Sequence, residues 1–264
     1  MTANDAGNNT LQDLLEHHLA GMTRLPTPEV SALLPACPCC GEPAFEGAWR
    51  GLFDLQHSCN CIIERPLEYE VSIQNLWDSR ARHRKYLESL PVRYRTYTPD
   101  TIERTNGNGA AFDAGFALEA GRTLYLWGNP GNGKSHLACA VGFRRLERET
   151  VVFWNMSTLY STLRECIAHD TPKPNLIAPE VLILDDLGKV KATEFVYETL
   201  YACLEARWSN EKTTILTANH KPGIVADRLT PSSLDREASD AILSRLVAGQ
   251  VIEVKGEDRR EGRS

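Results

Sequence analysis

The stretch LWGNPGNGKSHLACAV, Leu126–Val141, joins an apolar β-like run, Leu124 to Trp127, to a helical period at Leu137, Ala140 and Val141. Between the two, Gly128, Gly133, Lys134 and Ser135 fit the spacing G-x-x-x-x-G-K-[ST]. Glycines let the backbone curl until its N–H groups converge on phosphate oxygens, and a helix N-terminus adds partial positive charge at the same place. The loop Gly128, Asn129, Pro130, Gly131, Asn132, Gly133, Lys134, Ser135 and His136 therefore predicts a nucleoside triphosphate site. Lys134 would reach the β and γ phosphates, and the Ser135 hydroxyl would bind Mg²⁺.

Two further stretches agree with the loop. In VLILDDLG, four apolar residues suited to a buried strand end in Asp185 and Asp186. One acid at such a strand end can hold the Mg²⁺ hydration shell while the other polarises an attacking water. In TTILTANH a second buried-looking strand ends in Thr217 and Asn219, and an amide there could orient that water. From about Thr101 onward, short apolar runs (TLYLW, VVFW, VLIL, TTILT, VIEV) alternate with helical periods. That alternation predicts a parallel sheet covered on both faces, an α/β three-layer αβα fold.

Upstream the texture differs. Residues 1–35 carry an amphipathic pattern at Leu11, Leu14, Leu15, Leu19 and Met22, with Thr10 as a possible N-cap. Residues 36–66 hold CPCCGEP and HSCNC, and residues 67–95 read as a linker helix that Pro91 should end near Leu90. Residues 96–264 form the α/β domain. The 264-residue chain has eight cysteines, no secretory signal and no apolar run long enough for a membrane span, so a cytoplasmic protein without a disulfide framework is expected. Clustered thiols then point to metal. Cys37, Cys40, Cys59 and Cys61 are the expected tetrahedral Zn²⁺ ligands, Cys39 is a bystander, and His57 could replace one of the four. Cys139, Cys166 and Cys203 fall on apolar helix faces and read as core.

A net charge of −6 means that any nucleic-acid binding must use a local basic patch. Arg80, Arg82, Arg84, Lys85, Arg93 and Arg95 form the densest one, with Trp77, Tyr86, Tyr94 and Tyr97 the nearby aromatics that could stack on bases. A solvated helix face is the commoner explanation of such a cluster. Arg245, flanked by Leu243 and Leu246, reads from its neighbours as a cation at the edge of a packed helix face.

Taken in order, these motifs resemble the AAA+ P-loop NTPases of the DnaC/DnaI replicative-helicase loader type, relatives of the IstB transposition helpers. GNPGNGKSHLA is similar to that family's phosphate loop, LILDDLG to its acidic strand end, TANH to its sensor 1 and LPVRYR to the segment before its ATPase domain. The resemblance implies ATP and Mg²⁺ as cofactors, with Asp186 activating water and Asn219 as sensor. It implies that Arg245, within AILSRL, is an arginine finger acting on a neighbouring subunit's ATP, and that Arg260, within VKGEDRR, is a second phosphate-sensing arginine. It also implies Zn²⁺ at the tight second cysteine pair. The expected partners are a hexameric replicative DNA helicase, single-stranded DNA and further copies of the chain when ATP is bound. The alternative is an IstB-like helper acting with a transposase. A small-molecule kinase is disfavoured because the loop between Ile167 and Val181 is short and holds no arginine. The sequence departs from the family in two ways, Asp186 where many AAA+ proteins carry Glu, and a chain that stops soon after the last strand. The shorter acid points to slow turnover, and a low-turnover switch is compatible with both.

Overall fold

The computed structural model describes residues 66–189 and 193–256. The amphipathic segment in residues 1–35, the zinc-type residues Cys37, Cys40, Cys59 and Cys61, and Arg260 lie outside the described residues. In chain order the described elements are α1 (Pro66–Ser89), two short 3₁₀ turns (Val92–Thr96 and Pro99–Thr101), α2 (Gly109–Phe116) and β1 (Thr123–Trp127). They continue with α3 (Lys134–Arg145), β2 (Val151–Asn155), α4 (Met156–Ala168), β3 (Val181–Leu187), α5 (Glu194–Ser209) and β4 (Thr213–Ala218). The last are α6 (Pro222–Leu229), α7 (Arg236–Leu246) and β5 (Gln250–Glu253). Helix α1 stops one residue before Leu90, as the clash between Pro91 and a preceding helical residue requires. Helices α4, α5 and α7 start where a polar side chain satisfies an orphan N–H: Asn155 accepts from Ser157, Thr193 from Val196 and Asp235 from Ala238.

The five strands form one sheet in the order β2-β3-β4-β1-β5, with every pair parallel. Alternate residues of β1, β3 and β4 enter two separate cores. Leu124, Leu126, Phe153, Ile183 and Ile215 pack with Tyr86, Leu90 and the buried face of α3. Tyr125, Leu182, Leu184 and Leu216 pack with α4, α5, α6 and α7. Over these three strands both faces of the sheet are dry, which explains why they read as continuous apolar runs. Cys139, Cys166 and Cys203 are buried, as their helical positions predict. Among the described residues, no helix is long and apolar enough to cross a membrane.

Connections cross from strand to strand so that β4 lies between the phosphate-loop strand β1 and the acidic strand β3. Three strand ends that are far apart in sequence consequently open side by side at the carboxyl edge of the sheet. That edge is where open α/β sheets bind ligands.

At the opposite edge the sheet is fastened by one cation. Arg207 of α5 is fully buried. Its guanidinium donates to the carbonyls of Leu176 (3.0 Å), Pro179 (2.9 Å), Glu180 (3.2 Å) and Thr213 (2.5 Å), and to Thr214 Oγ1 (3.0 Å). Burial pulls it down to about 10, so it remains charged at neutral pH. It fixes the loop that enters β3 and thereby the register of the acidic strand. Arg207→Met keeps most of the volume but strands these acceptors in the interior. It is expected to lower the free energy of unfolding in urea by about 3 kcal/mol or more.

Candidate functional site

Loop, strand and helix meet at Gly128–His136 as the spacing predicts. Gly128 has φ +148, and a Cβ there would collide with the Val254 carbonyl oxygen beyond β5. Only glycine allows this approach. Asn132 is buried and donates from Nδ2 to that same carbonyl, which ties the loop to the end of β5. Gly133, with φ +90, sets the entry to α3, and α3 has no side-chain cap. Its first N–H groups are thus left for an external acceptor. The Lys134 ammonium, also buried, folds back onto Gly128 O (2.8 Å), Asn129 O (2.7 Å) and Asn132 Oδ1 (3.0 Å). These are neutral loop oxygens that a charged phosphate oxygen can outcompete.

Asp185, only 1% exposed, is the centre of the polar network. Ser135 Oγ donates to its Oδ1 at 2.6 Å, Thr217 Oγ1 donates to the same oxygen at 2.7 Å, and Asn155 Nδ2 approaches Oδ2 at 3.3 Å. Burial pushes the carboxyl above its ordinary value, and the nearby Asp186 charge adds to this, while the Ser135, Thr217 and Asn155 hydrogen bonds oppose it. Asp186 would point to the opposite face in a regular strand, because strand side chains alternate. Instead the pairing of β3 with β4 shifts register between Leu184 and Leu187, and Asp186 takes φ +66. This irregularity re-aims the second acid, and both carboxylates line one cavity. Thr217 Oγ1 accepts the Asp186 N–H at 3.0 Å, and Asn219 Nδ2 donates to Asp186 Oδ1 at 3.2 Å.

The cavity has a volume of about 750 Å³, and the loop residues Gly131, Gly133, Lys134 and Ser135 form its floor. The volume falls within the range of small-molecule sites. A buried cation, uncapped helix N–H groups and a hydroxyl on a buried carboxylate together suit a triphosphate and its divalent cation. Segment Val92–Thr101 forms the opposite wall. Tyr94 stacks on Tyr97 (4.8 Å between centroids), Tyr97 stacks on His136 (4.3 Å), and Thr101 Oγ1 lies 3.0 Å from His136 Nε2. Burial and the Asp185 charge push the Tyr94 hydroxyl up to about 12. Two of the aromatics that the sequence offered for stacking on bases are thus part of the cavity. Arg93 lines the same wall. Elsewhere in the basic cluster, Arg82 donates to the Leu146 carbonyl (2.9 Å) and the Glu147 carbonyl (2.7 Å) at the end of α3.

Arg245 lies apart from its own chain's cavity. Its guanidinium pairs with Glu205 of α5 and sits 4.5 Å from the centroid of the Trp208 ring. The hydrogen bond from Arg245 holds the Glu205 carboxyl below its ordinary value. Sequence reasoning missed Asn155, Lys189 and the inward role of Val92–Thr101. A polar residue closing the run VVFWN was the one signal for Asn155.

Comparison with known proteins follows the same outline. The family model described as IstB-like ATP binding protein matches residues 114–264. A chromosomal replication initiator protein DnaA from Lactobacillus helveticus is 24% identical over 208 residues, 75% of this chain and 43% of the relative. A protein described as an insertion sequence ATP-binding protein, from Sinorhizobium fredii, is 30% identical over 110 residues, 40% of this chain and 37% of the relative. The chain thus spans less than half the length of these curated relatives. Among solved structures, DnaI superposes with a TM-score of 0.51 at 23% identity, covering 65% of this chain and 94% of that one, a likeness of fold.

The environment of Asp185 makes a pH prediction. Its folded carboxyl binds a proton more tightly than the unfolded one does, so its contribution to stability is present below the ordinary value of 3.8 and is lost as pH rises through the folded value. Compared with Asp185→Asn, the nucleotide-free wild type should lose stability as pH rises from about 4. Thermal unfolding of the two proteins across that range measures the difference.

Proposed function

This chain belongs to the IstB-like ATP-binding protein family, and from that membership we propose an ATP-hydrolysing AAA+ protein that loads a hexameric replicative helicase onto single-stranded DNA. The observation that carries the ATPase reading is the Ser135–Asp185 hydrogen bond, placed in one cavity with the Asp186–Asn219 pair. Gly128–His136 would cradle the triphosphate, with Lys134 exchanging loop oxygens for phosphate oxygens. Ser135 and Asp185 would hold Mg²⁺, which when bound neutralises phosphate charge. Asp186 would accept a hydrogen bond from the attacking water, and Asn219 would orient the pair. Arg245 would leave Glu205 to complete a neighbouring subunit's site, and Arg260 would sense phosphate in its own. Hydrolysis would release the loader from its helicase.

Cytoplasmic location, ATP-dependent self-association and a zinc-binding knuckle at Cys37, Cys40, Cys59 and Cys61 belong to the same proposal, as do the boundaries 1–35, 36–66, 67–95 and 96–264. The order of motifs supports a loader, and so do the relatives named as replication initiators. One observation favours a second reading. The family model and the Sinorhizobium fredii relative both point to insertion sequences, so a transposase is the alternative partner.

The two readings separate on one bench. The purified protein is mixed with the replicative helicase of its own host or element, with ATP and with ADP, and the complex mass is measured by light scattering. The loader reading expects a defined complex with ATP. Failure to bind the helicase with either nucleotide would move the assignment to the transposase. Within the site, Lys134→Ala should abolish ATP binding, whereas Asp186→Asn should keep binding and lower turnover about a hundredfold or more.

A further inference from the structure

The turn after β3 places a lysine on the acid assigned to water. Lys189 Nζ lies 3.0 Å from Asp186 Oδ2, while Asn219 Nδ2 holds Oδ1. Both carboxylate oxygens are thereby engaged, and the ammonium beside Oδ2 offsets the negative charge with which Asp186 would polarise a water. Asp186 is also held at φ +66, a left-handed conformation uncommon for a non-glycine residue. Strain at such a place calls for a functional reason.

The backbone of the turn is fixed. Gly188 has φ +74, a Cβ there would press on Val225 at 3.2 Å, and Arg228 Nη1 donates to the Gly188 carbonyl at 3.3 Å. Helix α6 thus pins the base of the turn. The tip is not pinned in this way, since the Lys189 side chain is 61% exposed against 22% for Asp186. Its four-carbon stem can swing within the cavity it lines together with Lys134 and Asp185. A half-exposed ion pair of this kind is worth little. A multiply charged terminal phosphate in the same cavity is the stronger partner for an ammonium.

We propose that Lys189 is a γ-phosphate ligand, and that it discriminates triphosphate from diphosphate by exchanging the Asp186 carboxylate for the terminal phosphate. The inference rests on the ATP-binding reading and adds a coupling to it. Asp186 is relieved of its cation only when a terminal phosphate is there to be attacked, and with a diphosphate in the site Lys189 returns to the acid.

The test is calorimetric titration of the full-length protein with ADP and with a non-hydrolysable ATP analogue, both with Mg²⁺, for wild type, Lys189→Met and Lys189→Arg. Lys189→Met should weaken the triphosphate analogue roughly tenfold or more and leave ADP unchanged, with Lys189→Arg keeping most of the preference. Unchanged ADP affinity serves as the control for folding. If Lys189→Met weakens both nucleotides alike, or neither, Lys189 is not a γ-phosphate ligand and the proposal is overturned. If the wild type binds neither nucleotide, the ATP reading falls first and takes this inference with it.

Discussion

The Asp185 carboxylate is the point at which four elements of the chain are tied together. Ser135 reaches it from α3, Thr217 from β4 and Asn155 from the end of β2, while Asp185 itself lies in β3. A charge this buried is unfavourable unless it is hydrogen-bonded or neutralised. The three donors satisfy it only in part, and burial still pushes the carboxyl above its ordinary value. A divalent cation held by Ser135 and Asp185 would supply the missing positive charge. The strand order makes the knot possible, because β4 between β1 and β3 delivers Thr217 to a position no local segment could provide.

A second constraint sets the neighbouring acid. Strand geometry alone separates Asp185 from Asp186 by a whole face of the sheet. The register shift against β4 and the left-handed turn at Asp186 bring both into one wall. The Thr217 hydroxyl then serves two residues, donating to Asp185 and accepting from the Asp186 backbone. Displacing this hydroxyl would disturb cation binding and water positioning together.

Much of this is legible in the amino-acid sequence. Loop, acidic strand end and polar strand end are local patterns, and burial on both faces wrote the strands as apolar runs. Helix α2 was not legible, because GAAFDAGF is short and glycine-rich and is held by packing on α3 rather than by propensity. Helix α6, eight residues after a Lys-Pro start, is equally brief. The inward role of Tyr94 and Tyr97 was hidden because Pro91 ends α1 and turns the chain across the cavity, which converts apparent surface residues into its wall. Lys189 carried no signal at all; its meaning comes from the turn geometry at Gly188 and from α6 behind it.

The most direct test of the account is an experimental structure with Mg²⁺ and a non-hydrolysable ATP analogue. The account predicts Mg²⁺ held by Ser135 and Asp185, with Lys134 turned from the loop oxygens to the phosphates. A structure in which the nucleotide binds elsewhere, or in which Lys134 stays on the loop oxygens beside bound phosphates, would contradict it.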